Sequence, residues 1–127
     1  MRHVAAAELS SDTAQTPGMQ RSEAISQRRV GARTIWMGQS RMTPGASSGD
    51  HHHGDSETGI YILSGHPVFV FAEDGRERRV ETAPGDYVFV PAFVPHREEN
   101  PSPDEAVVIL ARTTQEAIVV SLPGLAP

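Results

Sequence analysis

Pro67-Val68-Phe69-Val70-Phe71-Ala72 is a run of β-branched and aromatic residues. It is followed by Glu73-Asp74-Gly75-Arg76 and then by Arg76-Glu77-Arg78-Arg79-Val80-Glu81-Thr82. An Asp-Gly pair between two extended runs is a strong hairpin signal, because both central positions of the tight turn need positive φ. The second run alternates charged and β-branched residues, as a mostly exposed strand would. Working outward, the same grammar recurs. Ile60 to Leu63 and Arg33 to Gly38 read as strands before the hairpin. Pro84-Gly85 is a turn, Asp86 to Val90 a strand, and Pro91 to Pro95 a proline-bracketed corner. Asn100 to Pro103 is another turn. Ala106 to Ala111 and Ala117 to Val120 are apolar enough to be buried strands. Eight or more short strands without a sustained helical period predict an all-β sandwich or barrel. The barrel is expected over residues 30–127. Residues 1–29, polar and mixed with a Thr16-Pro17-Gly18 turn, are expected to form an N-terminal arm, flexible or docked on a partner subunit.

Composition limits the chemistry. The 127 residues include no Cys, and all 11 basic residues are Arg. Disulfides, thiolate metal sites, thiol nucleophiles and Schiff-base lysines are excluded. The net charge of −5 argues against a nucleic-acid partner, whose affinity would rest on a basic face. No apolar run approaches the roughly 20 residues of a membrane-spanning helix, and no secretory leader pattern is visible at the N-terminus. A cytoplasmic protein with no membrane partner is expected.

Chemistry is left to six His, 16 carboxylates and a few hydroxyls. Five of the His lie between positions 51 and 96, and three are consecutive. Side chains on one face of a strand recur at even spacing. His51, His53 and Glu57 share one parity, and His96 follows an aromatic strand and a corner that could bring it alongside. Imidazole and carboxylate together suit a divalent transition metal. A regular strand counted back from Gly65 gives a rival register, in which Thr58 and His52 face inward. The first register requires one extra residue between Glu57 and Gly65, and Gly59 is the expected β-bulge. In that register His52 points outward. His66 is expected to be structural or exposed.

These residues resemble the cupin superfamily. Its first motif, G-x5-H-x-H-x3,4-E-x6-G, is matched by Gly45, His51, His53 and Glu57, with Gly65 one residue late. Its second motif, G-x5-P-x-G-x2-H-x3-N, is matched by Gly85, Pro91, His96 and Asn100, with Phe93 in place of the middle glycine. The resemblance is to small single-domain bacterial cupins. It implies a jelly-roll barrel, also described as a double-stranded β-helix, holding one metal through His51, His53, Glu57 and His96. It also implies a small-molecule substrate and a homodimer formed through sheet edges.

Three His and one carboxylate favour iron or manganese, with nickel, cobalt and zinc as alternatives. Such a centre can support oxidation by O2, or act as a Lewis acid in an isomerase, cyclase or lyase. An oxygenase acting on a small organic molecule is expected first, a metal-dependent lyase, isomerase or cyclase second, and a non-enzymatic binding cupin third. Trp36, Met37, Tyr61, Phe69, Phe71, Phe89 and Phe93 are expected to supply core and pocket wall. Glu98 shares the parity of His96 and is a candidate acceptor or base, although an exposed turn position also fits. Arg41 and Arg97 are the cations nearest the motifs and the candidates for holding a carboxylate substrate.

Overall fold

The computed structural model describes residues 1–125. Among the described residues, ten strands make two five-stranded antiparallel sheets, and a 3-10 turn at Ala6–Glu8 and one short α-helix lie outside them. Sheet A has the order β1 (Met19–Ile25), β2 (Trp36–Met42), β9 (Ala106–Arg112), β4 (Thr58–Ser64), β7 (Tyr87–Val90). Sheet B has the order β10 (Val120–Ser121), β3 (His51–His52), β8 (His96–Glu99), β5 (Val68–Glu73), β6 (Arg76–Glu81). The chain changes sheet at every connection from β2 to β10 except the β5–β6 hairpin. Pairing partners distant in sequence follow from those crossings, and the result is a jelly-roll β-sandwich. Among the described residues, no helix is long and apolar enough to cross a membrane.

The hairpin that decided the reading forms as expected. Asp74 and Gly75 both have positive φ, 53° and 74°, and Glu73 pairs with Arg76 across the turn. β6 is exposed along its whole length. The core lies between the sheets, where Ile60, Ile62 and Val108 of sheet A and Phe69 of sheet B meet Val90. Ile62 is fully buried. A side chain of that size contributes about 1.5–3 kcal/mol by leaving water.

Residues 19–25 are the edge strand β1, in register with β2 of the same chain from Met19↔Met42 to Glu23↔Gly38. Gly38 makes this pairing close. A Cβ there would sit 2.2 Å from the Ser22 carbonyl oxygen and 2.8 Å from the Trp36 ring. A four-residue helix, α1 (Gln27–Val30), then turns the chain. Ser26 caps it by accepting from the Arg29 N–H, and Gly31 ends it with φ 79°.

Three expectations change. The aromatic strand β7 turns Tyr87 and Phe89 outward, and Val88 and Val90 inward; Phe93 is exposed too. Met37 and Tyr61 line the outer face of sheet A with Tyr87 and Phe89. Of the large residues expected inside, Trp36 and Phe69 are fully buried. Ala117 to Val120 is not a buried strand: it runs across one mouth of the barrel, and only Val120 enters β10. The expected bulge at Gly59 is absent, since Thr58, Gly59 and Ile60 pair in regular register with both neighbours. The irregularity falls between Ile62 and Ser64, just before Gly65 with φ 81°.

Candidate metal centre

His51 sits on β3, bracketed by Ser121 of β10 and by His96 of β8 in direct register. The Pro91–Pro95 corner delivers His96 to that place. Within it Phe93 adopts φ 62°, the left-handed conformation that the glycine of the motif would take freely, and its N–H donates to the Gly54 carbonyl at 2.7 Å. His53 follows the end of β3 and turns its ring to the Ile118 carbonyl. The three rings cluster with centroids 4.5–5.0 Å apart, His51 and His53 edge to face and His96 tilted against both.

The hydrogen bonds fix the tautomers. Nδ1 of His51, His53 and His96 lies 2.9, 2.7 and 3.0 Å from the carbonyl oxygens of Gly49, Ile118 and Val94. A carbonyl can only accept, so each Nδ1 carries the proton and each Nε2 keeps a lone pair. One ligand atom from each ring lies within 4.8 Å of the others. His96 Nε2 is buried and has no hydrogen-bond partner. An orphaned buried acceptor is costly by itself, and a metal ion would satisfy it. Burial pushes His53 down to about 4, against the opposing pull of the Ile118 hydrogen bond; the other two rings add to the fall and Glu98 opposes it. Burial likewise lowers His96, against Glu98 and the Val94 hydrogen bond. Neutral imidazole is the form that ligates.

Glu57 does not join the three histidines. Its side chain is exposed, and its backbone pairs with Thr113. Parity carried from His51 to Glu57 holds only along an unbroken strand. β3 ends at His52, and a turn closed by the Ser56 N–H on the His53 carbonyl intervenes. Ser56 and Thr58 therefore face the interior, and Glu57 faces out. The outcome combines the two registers: Thr58 is inward, as in the rival, while His51 and His53 are inward, as in the first. His52 turns away; its Nδ1 accepts from the Gly54 N–H, and its ring packs on Phe93.

Glu98, two residues beyond His96 on the same face of β8, lines the cavity beside His53. That cavity, about 110 Å³, lies between the sheets. Its other wall carries Ser40, Thr58, Arg21 and Arg112. Arg41 and Arg97 do not reach it. Arg41 pairs with Glu105 at 2.8 Å, and Arg97 pairs with Asp50, Glu77 and Glu99. Arg112 was legible in principle: Ala106, Val108, Leu110 and Arg112 share one parity, and the apolar stretch hides its last, charged member. His66 is bonded through Nδ1 to the Thr82 carbonyl and takes no part. Asn100, fully buried, donates to the carbonyls of Met42, Thr43 and Asp104 and ties the second motif to the start of the first.

A two-sheet β-barrel with inward histidines on two adjacent strands, a third just past the end of one of them, and a small polar cavity defines the class of metal-capable jelly-roll proteins. The family is identified by a match to the cupin domain model over residues 38–112, and the chain belongs to the cupin family. It is similar to an acireductone dioxygenase of Bacillus cytotoxicus, 46% identical over 48 residues, or 37% of this chain and 28% of that protein. Among solved structures it is similar to an oxalate decarboxylase of Bacillus subtilis, with a TM-score of 0.74 and 24% identity over 87% of this chain and 30% of that one. It is also similar to an oxalate oxidase bound to glycolate, with a TM-score of 0.73 and 15% identity over 90% of this chain and 60% of that one. The chain thus spans less than a third of the dioxygenase and of the decarboxylase.

Proposed function

We propose that this cupin binds one divalent transition metal through Nε2 of His51, His53 and His96 and acts on a small organic molecule as an oxygenase. The observation that carries the reading is the common tautomer: three Nδ1–H groups tied to backbone carbonyls leave three Nε2 lone pairs, one of them buried without a partner, on rings that each offer a ligand atom within 4.8 Å of the others. Iron or manganese suits the set best, with nickel, cobalt and zinc as further candidates. When bound, the metal would supply a Lewis-acidic and redox-active centre. Glu98 is the carboxylate assigned to the same cavity, as a further ligand or as the group that holds a proton of the substrate. Glu57, exposed on its turn, is left outside the set. The partial likeness to acireductone dioxygenase supports dioxygen chemistry. The fold likeness to an oxalate decarboxylase with Mn(II) centres is compatible with manganese.

We further propose that the active form is a homodimer. The outer face of sheet A presents Met37, Tyr61, Tyr87, Phe89, Ile109 and Ala111 together, with Tyr87 and Phe89 exposed, and contiguous exposed apolar residues are what a protein interface uses.

Elemental analysis of the protein as purified is the first test, and it should give about one transition metal per chain. O2 uptake by iron- and manganese-reconstituted protein, assayed with small oxo acids, diketones and phenols, tests the oxygenase reading. Turnover without O2 in the zinc form would overturn it in favour of a lyase or isomerase. A protein that takes up no metal would overturn the metal reading altogether.

A further inference from the structure

The wall opposite the histidines carries two cations that no carboxylate of the described residues pairs with directly. Arg112 ends β9 facing inward, with its guanidinium carbon 4.0 Å from the centre of the Trp36 ring. Its Nε donates to the Thr114 carbonyl and one terminal nitrogen, Nη2, to the Gln115 carbonyl, both at 2.9 Å. The other terminal nitrogen, Nη1, has no bond among the described residues. Arg21, on β1 opposite Ser40, lines the same wall and donates through Nη1 to Thr16 Oγ1 at 2.8 Å. Between them, Ser40 Oγ is buried (3% exposed) with no hydrogen-bond partner.

No carboxylate of the described residues pairs directly with these cations. Among the described residues, no ion pair within 4.0 Å includes Arg21 or Arg112. Glu23, behind Trp36, is already bonded to Arg28, Ser26 and Trp36 Nε1. Glu98 stands on the opposite wall. Burial, reinforced by Arg21 and opposed by Glu23, lowers Arg112 to about 10, so it remains cationic at neutral pH. A guanidinium held in such a place without a counter-charge is costly unless an anion arrives. Its planar fork matches a carboxylate in two-point contact.

We infer that Arg112, Arg21 and Ser40 form an anion subsite that holds the carboxylate of a small organic acid, with the rest of the molecule directed across the cavity towards the histidines. The volume, about 110 Å³, is well below the roughly 300 Å³ at which drug-sized pockets begin, which restricts the acid to a few carbons. The inference deepens the reading of the metal centre and shares its cavity. Its residues belong to neither metal-binding motif, so the two can fail separately.

The test is equilibrium binding of acetate, with acetamide as the neutral control of the same shape. It is followed by calorimetry in low-chloride buffer, on protein both as purified and stripped with chelator. Acetate should bind in both states, and acetamide should not. Arg112→Gln should weaken acetate at least about tenfold, as loss of a charge-assisted pair does. Arg112 also anchors the Thr114–Gln115 carbonyls, so Arg21→Gln and Ser40→Ala are measured beside it; each should weaken acetate several-fold. His96→Ala should abolish metal uptake and leave acetate binding nearly unchanged. Acetate affinity unaltered in Arg21→Gln, Ser40→Ala and any folded Arg112 variant would overturn the subsite. So would acetamide binding as well as acetate, or no acetate binding to wild type. Metal-free wild type that still binds acetate, with no metal taken up on reconstitution, would overturn the metal reading and leave the subsite standing.

Discussion

The two sheets have the same strand count and opposite chemistry. Sheet B turns His51, His96 and Glu98 inward, and its outer face is served by its own chain. Leu125 packs on Val68 and Val70, and Arg97 gathers Asp50, Glu77 and Glu99. Sheet A turns core aliphatics, Ser40 and two arginines inward, and none of the described residues covers Tyr87 or Phe89 outside. On the proposed function, chemistry and assembly are divided between the layers. The lone-pair-bearing wall is held by the sheet whose back is closed. The sheet with the open back contributes cations, and a neighbour can settle on it without disturbing the ligands.

The largest effect should come from breaking the histidine wall. His51→Ala and His96→Ala should each lower metal affinity more than about 100-fold, beyond what loss of an outer-sphere partner costs. Glu57→Gln and His52→Ala should leave it within about twofold. Metal titration followed by elemental analysis decides this. Strong loss in Glu57→Gln would mean that the Ser56–Glu57 turn reverses when metal binds.

The second effect should appear on the open back of sheet A. Tyr87→Arg or Ile109→Glu would bury an unpaired charge in any interface formed there. Sedimentation equilibrium should then show the dimer constant weakened more than about 100-fold, while Val80→Glu on the exposed strand β6 of sheet B changes nothing. A monomeric wild type at micromolar concentration would remove the proposed role of this face.

A third contrast concerns stability. Ile62→Ala empties the shared core and should cost about 2–5 kcal/mol. Val80→Ala on β6 should stay within about 0.5 kcal/mol. Urea unfolding measures both. Equal costs would mean that β6 packs against something in solution that the single chain does not provide.

What could be read from sequence follows the same division. The Asp74-Gly75 turn is a local matter of positive φ, and it formed where the dipeptide stood. The histidines of sheet B were legible because the motif spacing places them on paired strands. Glu57 was not, because parity is a property of continuous strand and the chain turns at Ser56. Arg112 was hidden because it follows an apolar run that reads as complete without it. Pairing of residues 19–25 with β2 was beyond reach, since Gln20, Arg21 and Ser22 carry no β-pattern of their own and join the sheet by hydrogen bonding to an exposed edge.

The smallest effect separates the charged groups behind the two walls by their pH dependence. Burial alone would raise the Glu23 carboxyl above its ordinary 4.5. Hydrogen bonds from Arg28, Ser26 and Trp36 outweigh burial and hold it lower. In the unfolded chain the carboxyl regains its ordinary value, so between the two values the unfolded state binds more protons. Glu23 therefore contributes stability that is fully present above about pH 4.5 and is lost as pH falls through the lower, folded value. Urea unfolding of wild type and Glu23→Gln from pH 6 to pH 3 should show the gap narrowing towards the acid end. Arg97, behind the histidine wall, should respond instead to salt, because its partners Asp50, Glu77 and Glu99 lie near the surface and are screened. Arg97→Gln should cost less than about 1 kcal/mol at low ionic strength, and less still in 1 M salt. A gap for Glu23→Gln that stays constant with pH would mean that its bonds serve shape rather than charge, and the cationic wall in front of Trp36 would then stand without electrostatic support from behind.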